Sequence, residues 1–118
     1  MVSREMASNI KISTHVLDTS RGRAAAGISV SITKLSDGLW TSVGQGETNQ
    51  DGRVNLVDGS NYTPGTYKLH FEVDKYFKTH GVDAFYPFVE VTFNAVEGEK
   101  YHIPVLLNPF GYTTYRGT

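Results

Sequence analysis

Short runs in which apolar and polar residues alternate recur along the chain, each closed by a cluster of Gly, Asn, Asp or Pro. Successive side chains of an extended strand point to opposite sides, so a period of two marks a strand with one buried face. Residues 28–35 set Ile28, Val30 and Ile32 against Ser29, Ser31 and Thr33, and residues 67–73 set Tyr67, Leu69, Phe71 and Val73 against Lys68, His70 and Glu72. Residues 88–95 turn Val89, Val91, Phe93 and Ala95 inward in the same way. Further strands are predicted at 11–17, 40–44, 53–57, 101–107 and 112–117, which makes about eight, enough for two facing sheets. Turn chemistry separates them at Arg21-Gly22-Arg23, Ser36-Asp37-Gly38, Asn49-Gln50-Asp51-Gly52, Thr63-Pro64-Gly65 and Glu97-Gly98-Glu99.

One short helix is predicted at 74–80. Asp74 would cap it, Tyr76, Phe77 and His80 lie at near-helical spacing, and Gly81 would end it in a left-handed conformation. The reading is therefore an all-β sandwich with one helix. Residues 1–9 read as a flexible tail and 10–118 as one domain, since 118 residues support one hydrophobic core and not two.

Composition removes several classes. Eleven Lys and Arg against twelve Asp and Glu leave a net charge of −1, so nothing steers the chain to nucleic acid or an anionic membrane. The absence of cysteine excludes disulfides, thiolate metal sites and thiol nucleophiles. No run of about 18 apolar residues occurs, and the opening MVSREMASNIK lacks the apolar centre of a secretory signal, so a cytoplasmic protein is expected. The ending Arg116-Gly117-Thr118 is not a Ser-Lys-Leu address, which leaves the peroxisome open by another route.

The candidate chemistry centres on four histidines, the side chains that titrate nearest neutrality. His70 alternates with Lys68 and Glu72, and His80 sits at the predicted helix end, so both read as solvated. His15 and His102 differ in what shares their faces. With Ile12 and Val16 in the core, His15 points outward beside Ser13 and Leu17; with Ile103, Val105 and Leu107 in the core, His102 points outward beside Pro104 and Leu106. An outer face that is partly apolar fits cover by another subunit and a partly dry site at that junction. From the pattern alone the pair reads equally well as two surface histidines.

Arg53 follows the tight Asp51-Gly52 turn, where a guanidinium can be held by the backbone and can offer its fixed fork of donors to a planar carbonyl or carboxylate. The stretch Tyr112-Thr113-Thr114-Tyr115-Arg116-Gly117-Thr118 keeps strand-like alternation to its last residue, as a segment built into a sheet or a site would. No His-x-His, His-x-x-x-His or Cys pair offers a local metal site, no Gly-x-Ser-x-Gly marks a serine nucleophile, and no Gly-x-x-x-x-Gly-Lys loop cradles phosphate.

Taken together, Ser13-Thr14-His15-Val16-Leu17-Asp18 with Arg21-Gly22-Arg23-Ala24-Ala25, Thr48-Asn49-Gln50-Asp51-Gly52-Arg53, Phe85-Tyr86-Pro87, and Tyr101-His102-Ile103-Pro104-Val105-Leu106-Leu107 through Tyr115-Arg116-Gly117-Thr118 closely resemble the hydroxyisourate hydrolases of the transthyretin-like family. The likeness runs from about Ile12 to the end, in order. It implies the transthyretin-like sandwich of two four-stranded sheets with one short helix, assembled as a homotetramer of two dimers with active sites at the dimer–dimer junction. It implies catalytic roles for His15, Arg53 and His102, and substrate binding by Tyr115, Arg116, Gly117 and Thr118, the last standing where the family usually has serine. The implied reaction is hydrolysis of 5-hydroxyisourate to 2-oxo-4-hydroxy-4-carboxy-5-ureidoimidazoline in urate degradation, with no metal and no organic cofactor. Which histidine is the base is not fixed by sequence. Two competing readings are a transthyretin-like carrier of a small hydrophobic ligand and a plain interaction sandwich. The vertebrate carrier lacks the paired histidines, the arginine after the turn and the Tyr-Arg-Gly ending found here.

Overall fold

The computed structural model describes residues 10–59 and 63–118. Among them it has strands β1 (Ile10–Asp18), β2 (Arg23–Ala24), β3 (Ser29–Ser36), β4 (Leu39–Glu47), β5 (Arg53–Gly59), β6 (Gly65–Phe71), β7 (Val89–Ala95), β8 (Lys100–Asn108) and β9 (Gly111–Thr114), with helix α1 (Val73–Thr79) between β6 and β7. The expected tail at 1–9 lies outside the described residues. No helix among the described residues is long and apolar enough to cross a membrane.

The strands form two sheets. One runs β4-β3-β6-β7, antiparallel throughout. The other runs β2-β1-β8-β9, with β5 also on β1. β8 occupies one side of β1, so β5 (opposite Ile10 to His15) and β2 (opposite Leu17 and Asp18) lie end to end along the other. The sheet is thus four strands wide, as expected, with one position shared by two short strands. Sequence alternation missed β2, because two residues carry no period.

The core follows the alternation. Ile10, Ile12 and Val16 from β1, Ile28 just before β3 with Val30 and Ile32 within it, Tyr67, Leu69 and Phe71 from β6, and Ile103, Val105 and Leu107 from β8 are all buried. Each fully buried side chain of this size contributes about 1.5–3 kcal/mol relative to exposure. Inward positions are what fix the outward ones: once Ile12 and Val16 are in the core, His15 has no choice of face.

Three expectations need correction. Helix α1 begins at Val73, and its N-cap is Glu72 without a side-chain cap; Asp74 lies in the first turn instead, where its charge suits the helix dipole. Val73 and Tyr76 and Phe77 are buried, so packing, not capping, sets where the helix starts. Gly81 does end it with φ 72°. Pro104, expected on an open outer face, is buried. The last strand stops at Thr114, not at residue 117. The last two corrections share a cause. β8 and β9 pair as Val105↔Thr114, and His102↔Gly117 forms an isolated bridge in that same register. Pro104, opposite Tyr115, accepts a hydrogen bond from Thr114 Oγ1 at 2.8 Å through its carbonyl. Its nitrogen therefore faces β9 as well, and having no N–H it cannot make the intervening rung. The chain parts from the ladder there, returns at Gly117, and lies over Pro104.

One buried polar cluster ties the β1–β2 turn to α1. Asp18 is fully buried: Oδ1 accepts from Ser20 N (3.0 Å), Ser20 Oγ (2.6 Å) and Arg21 N (3.3 Å), and Oδ2 accepts from the Tyr76 hydroxyl at 2.8 Å. Burial, helped by Asp18 and opposed by Arg21, pushes the Tyr76 phenol above its ordinary range. Asp18 shares the parity of Ile12 and Val16, so its inward position was readable from the pattern.

Candidate active site

Three neighbouring strands build the site on the outer face of the β1-containing sheet. β1 and β8 run parallel with Ser13 opposite His102 and His15 opposite Pro104, while β5 runs antiparallel with Arg53 opposite His15. The ring centroids of His15 and His102 are 6.3 Å apart. A β-bulge helps: the register shifts between Ile12 and Ser13, which face Val57 and Asn55 respectively, so Leu56 and Val57 both bury while Arg53 and Asn55 stay outward.

Arg53 is placed by the turn before it. Gly52 has φ +76°, and a Cβ there would lie 2.4 Å from the Val16 carbonyl oxygen, so only glycine fits. Gly52 in turn accepts from Val16 N at 2.8 Å. The Asn49 side-chain oxygen accepts from Asp51 N (2.9 Å) and Arg53 N (3.0 Å), and Asn49 N donates to the Arg53 carbonyl at 2.9 Å. The backbone of Arg53 is thereby held, while its guanidinium is exposed and has no hydrogen-bond or ion-pair partner among the described residues.

His102 is half-buried. Its Nδ1 lies 3.0 Å from Ser13 Oγ, across the two strands. Its carbonyl accepts from Gly117 N at 2.8 Å. At Gly117 a Cβ would come within 2.9 Å of His102 Cδ2 and 3.0 Å of the His102 carbonyl oxygen, so the close lie of the chain against this imidazole depends on the missing side chain. Burial holds the imidazole below its ordinary range, and the charges of Arg53 and His15 lower it further. These effects favour the neutral imidazole, which has one ring nitrogen able to accept a proton.

A concavity of about 840 Å³ opens beside these groups, lined by Ser13, Arg53, Asn55, His102, Gly117 and Thr118, among others. Lys11, Lys100 and Arg116 also line it, with the acid Asp58, so basic side chains outnumber acidic ones in this lining. Lys11 is 3.9 Å from Asp58, and Arg116 pairs with Glu99 at 3.0 Å while covering the Tyr101 ring. Of the residues singled out from sequence, the structure gathers Arg53, His102, Arg116, Gly117 and Thr118 around the concavity. His15 stands next to His102 but outside that lining, and Tyr115 lines a separate hollow with Phe93 and Ile103. Sequence reasoning gave no role to Ser13, Lys11, Lys100 or Asn55. The first two share the parity of His15, and Lys100 that of His102, so once the strands were paired the face itself named them. Among the described residues, no group of three or more His, Cys, Asp or Glu side chains is arranged to hold a metal ion.

The architecture defines the class: a two-sheet β-sandwich whose polar site is carried by strand residues on the outer face of one sheet. Comparison with known proteins is specific. The HIUase/Transthyretin family model matches residues 12–117, and the chain belongs to that family. It is 43% identical over 111 residues to the 5-hydroxyisourate hydrolase of Mus musculus, covering 91% of this chain and 94% of the mouse protein. Among solved structures it is similar to the 5-hydroxyisourate hydrolase of Klebsiella pneumoniae, with a TM-score of 0.80 and 30% identity over 92% of this chain and 99% of that one. It is also similar to sea bream transthyretin in complex with thyroxine, with a TM-score of 0.86 and 29% identity over 91% and 94%.

Proposed function

We propose that this chain is an enzyme that hydrolyses 5-hydroxyisourate, opening the six-membered ring at an amide. The observation that carries the reading is the convergence, on one face of three adjacent strands, of His15, Arg53 and His102, with His102 kept neutral among cations. The mouse and Klebsiella relatives bear the name of that activity and are similar to nearly the whole chain.

The chemistry asks for three things. Water must lose a proton as it attacks the ring carbonyl, the tetrahedral oxyanion must be stabilised, and the departing ring nitrogen must gain a proton as the C–N bond breaks. The paired imidazoles supply the proton transfers: one accepts from water, and protonated imidazole returns the proton to nitrogen. Arg53, clamped at its backbone and with no side-chain partner among the described residues, faces the charge that develops on the carbonyl oxygen. Gly117, Thr118 and Arg116 line the concavity beside His102 and contact the substrate, while in this reading Tyr115, whose side chain lines a separate hollow, serves to hold that segment in place. Every step is served by side chains, without a metal or organic cofactor. In this reading four copies assemble as two dimers, and the half-buried Leu17 and Leu106 beside the histidines are covered by a neighbouring copy.

The test is the decay of freshly generated 5-hydroxyisourate, followed by ultraviolet absorbance with and without the purified protein. Acceleration is expected. Saturable binding of a hydrophobic ligand with no acceleration would favour the carrier function of the transthyretin branch, and sedimentation velocity on the same sample checks the tetramer.

A further inference from the structure

Resting on that reading, we propose that Ser13 is a positioning residue: its hydroxyl accepts the Nδ1 proton of His102, so that Nε2 faces the concavity unprotonated and His102 is the base that receives the proton of water. Three observations lead there. Ser13 is paired with His102 across β1 and β8, and the two side chains meet at 3.0 Å. Among the described residues the same hydroxyl makes no other hydrogen bond, and Nε2 of His102 makes none. A serine can donate or accept, so the pair by itself fits either tautomer of a neutral ring.

The surroundings decide between them. Lys11 on β1, Arg53 on β5, Lys100 on β8 and Arg116 after β9 line the same concavity as His102; Asp58 offsets Lys11 at 3.9 Å and Glu99 offsets Arg116 at 3.0 Å, which leaves Arg53 and Lys100 as the cations without an acidic partner among the described residues, and His15 stands beside His102 on β1. A neutral imidazole is a dipole, negative at its bare nitrogen and positive at its N–H. Set against the positive charge that Arg53 and His15 exert on this imidazole, the ring is stabilised with its lone pair at the nitrogen that has no partner among the described residues and its N–H on the Ser13 oxygen. Only Ser13 is placed to take that N–H. The tautomer with Nε2–H would leave that nitrogen no lone pair to receive a proton from substrate water.

The experiment is ¹⁵N nuclear magnetic resonance of the intact protein with labelled histidine, His102 being assigned by the signals missing from His102→Asn. At a pH where the ring is neutral, Nδ1 is expected to be pyrrole-like and Nε2 pyridine-like; the reverse pattern would overturn the proposal. Ser13→Ala is then expected to mix the tautomers and lower kcat about three- to tenfold, the worth of one neutral hydrogen bond, with KM unchanged. Ser13→Thr should restore both. Full kcat with an unmixed tautomer in Ser13→Ala would reduce Ser13 to a strand filler. The tautomer is read without substrate, so a reversed tautomer in an active enzyme strikes this inference alone, and an inactive wild type strikes the hydrolase reading alone.

Discussion

The two sheets each turn a strand histidine outward, and the contrast between His70 and His102 separates an occupied imidazole from an available one. His70 on β6 has Nδ1 at 2.9 Å from Glu90 and Nε2 at 3.2 Å from Glu72, with its ring stacked on Phe88 at 4.7 Å. Each of its nitrogens is committed to a carboxylate. His102 on β8 has one nitrogen on a serine, the other without a partner among the described residues, and lines a concavity richer in basic than acidic side chains. Residue type and strand parity are the same in both; neighbours across the strands leave one hydrogen-bonded to two carboxylates and the other available for the role of base proposed here.

The contrast can be tested by removing each element in turn. His102→Asn keeps the approximate shape but no lone pair able to carry a proton, and turnover should fall by about 10²- to 10⁴-fold, whereas His70→Asn should leave it unchanged. Equal losses in the two variants would erase the distinction.

Arg53→Gln should cost about 10²- to 10³-fold in kcat, as loss of an oxyanion donor does. It should also move the acid limb of kcat/KM. Arg53 makes protonation of His102 harder; without that charge the imidazole binds a proton more readily, so the limb shifts to higher pH, toward the ordinary value near about 6.5. A limb that stays put or moves down would show that another group sets it.

Gly117→Ala places a methyl 2.9 Å from the His102 ring and 3.0 Å from its carbonyl oxygen. Displacing the ring or the chain by about 1 Å should cost about 10²-fold in turnover, with the melting temperature little changed. The smallest effect is expected on the other sheet. Glu90→Gln removes one partner of His70 and of Lys68, an exposed network, and should change stability by less than about 1 kcal/mol in a denaturant titration, with activity intact.

Much of this was legible in the sequence. Alternation placed the core strands and, by parity, put His15 and His102 on the outside, because burying Ile12, Val16, Ile103 and Val105 leaves them no other face. Resemblance supplied the site's membership. What alternation cannot encode is which strands are neighbours. Ser13 and His102 are 89 residues apart and meet through a parallel pairing that no local pattern reports. Nor could it show that Pro104, outward by parity, is covered by the chain's own return at Gly117, or that the missing N–H of Pro104 interrupts the last strand at Tyr115. The helix start was misjudged for a related reason: the burial of Val73, Tyr76 and Phe77 outweighed a capping preference worth about 1 kcal/mol.

The most direct measurement compares the decay of 5-hydroxyisourate in the presence of the wild-type protein and of His102→Asn at equal concentration. Fast decay with the wild type and near-spontaneous decay with the variant are expected if this strand face is the active site with His102 as its base. Equal acceleration by both would contradict it.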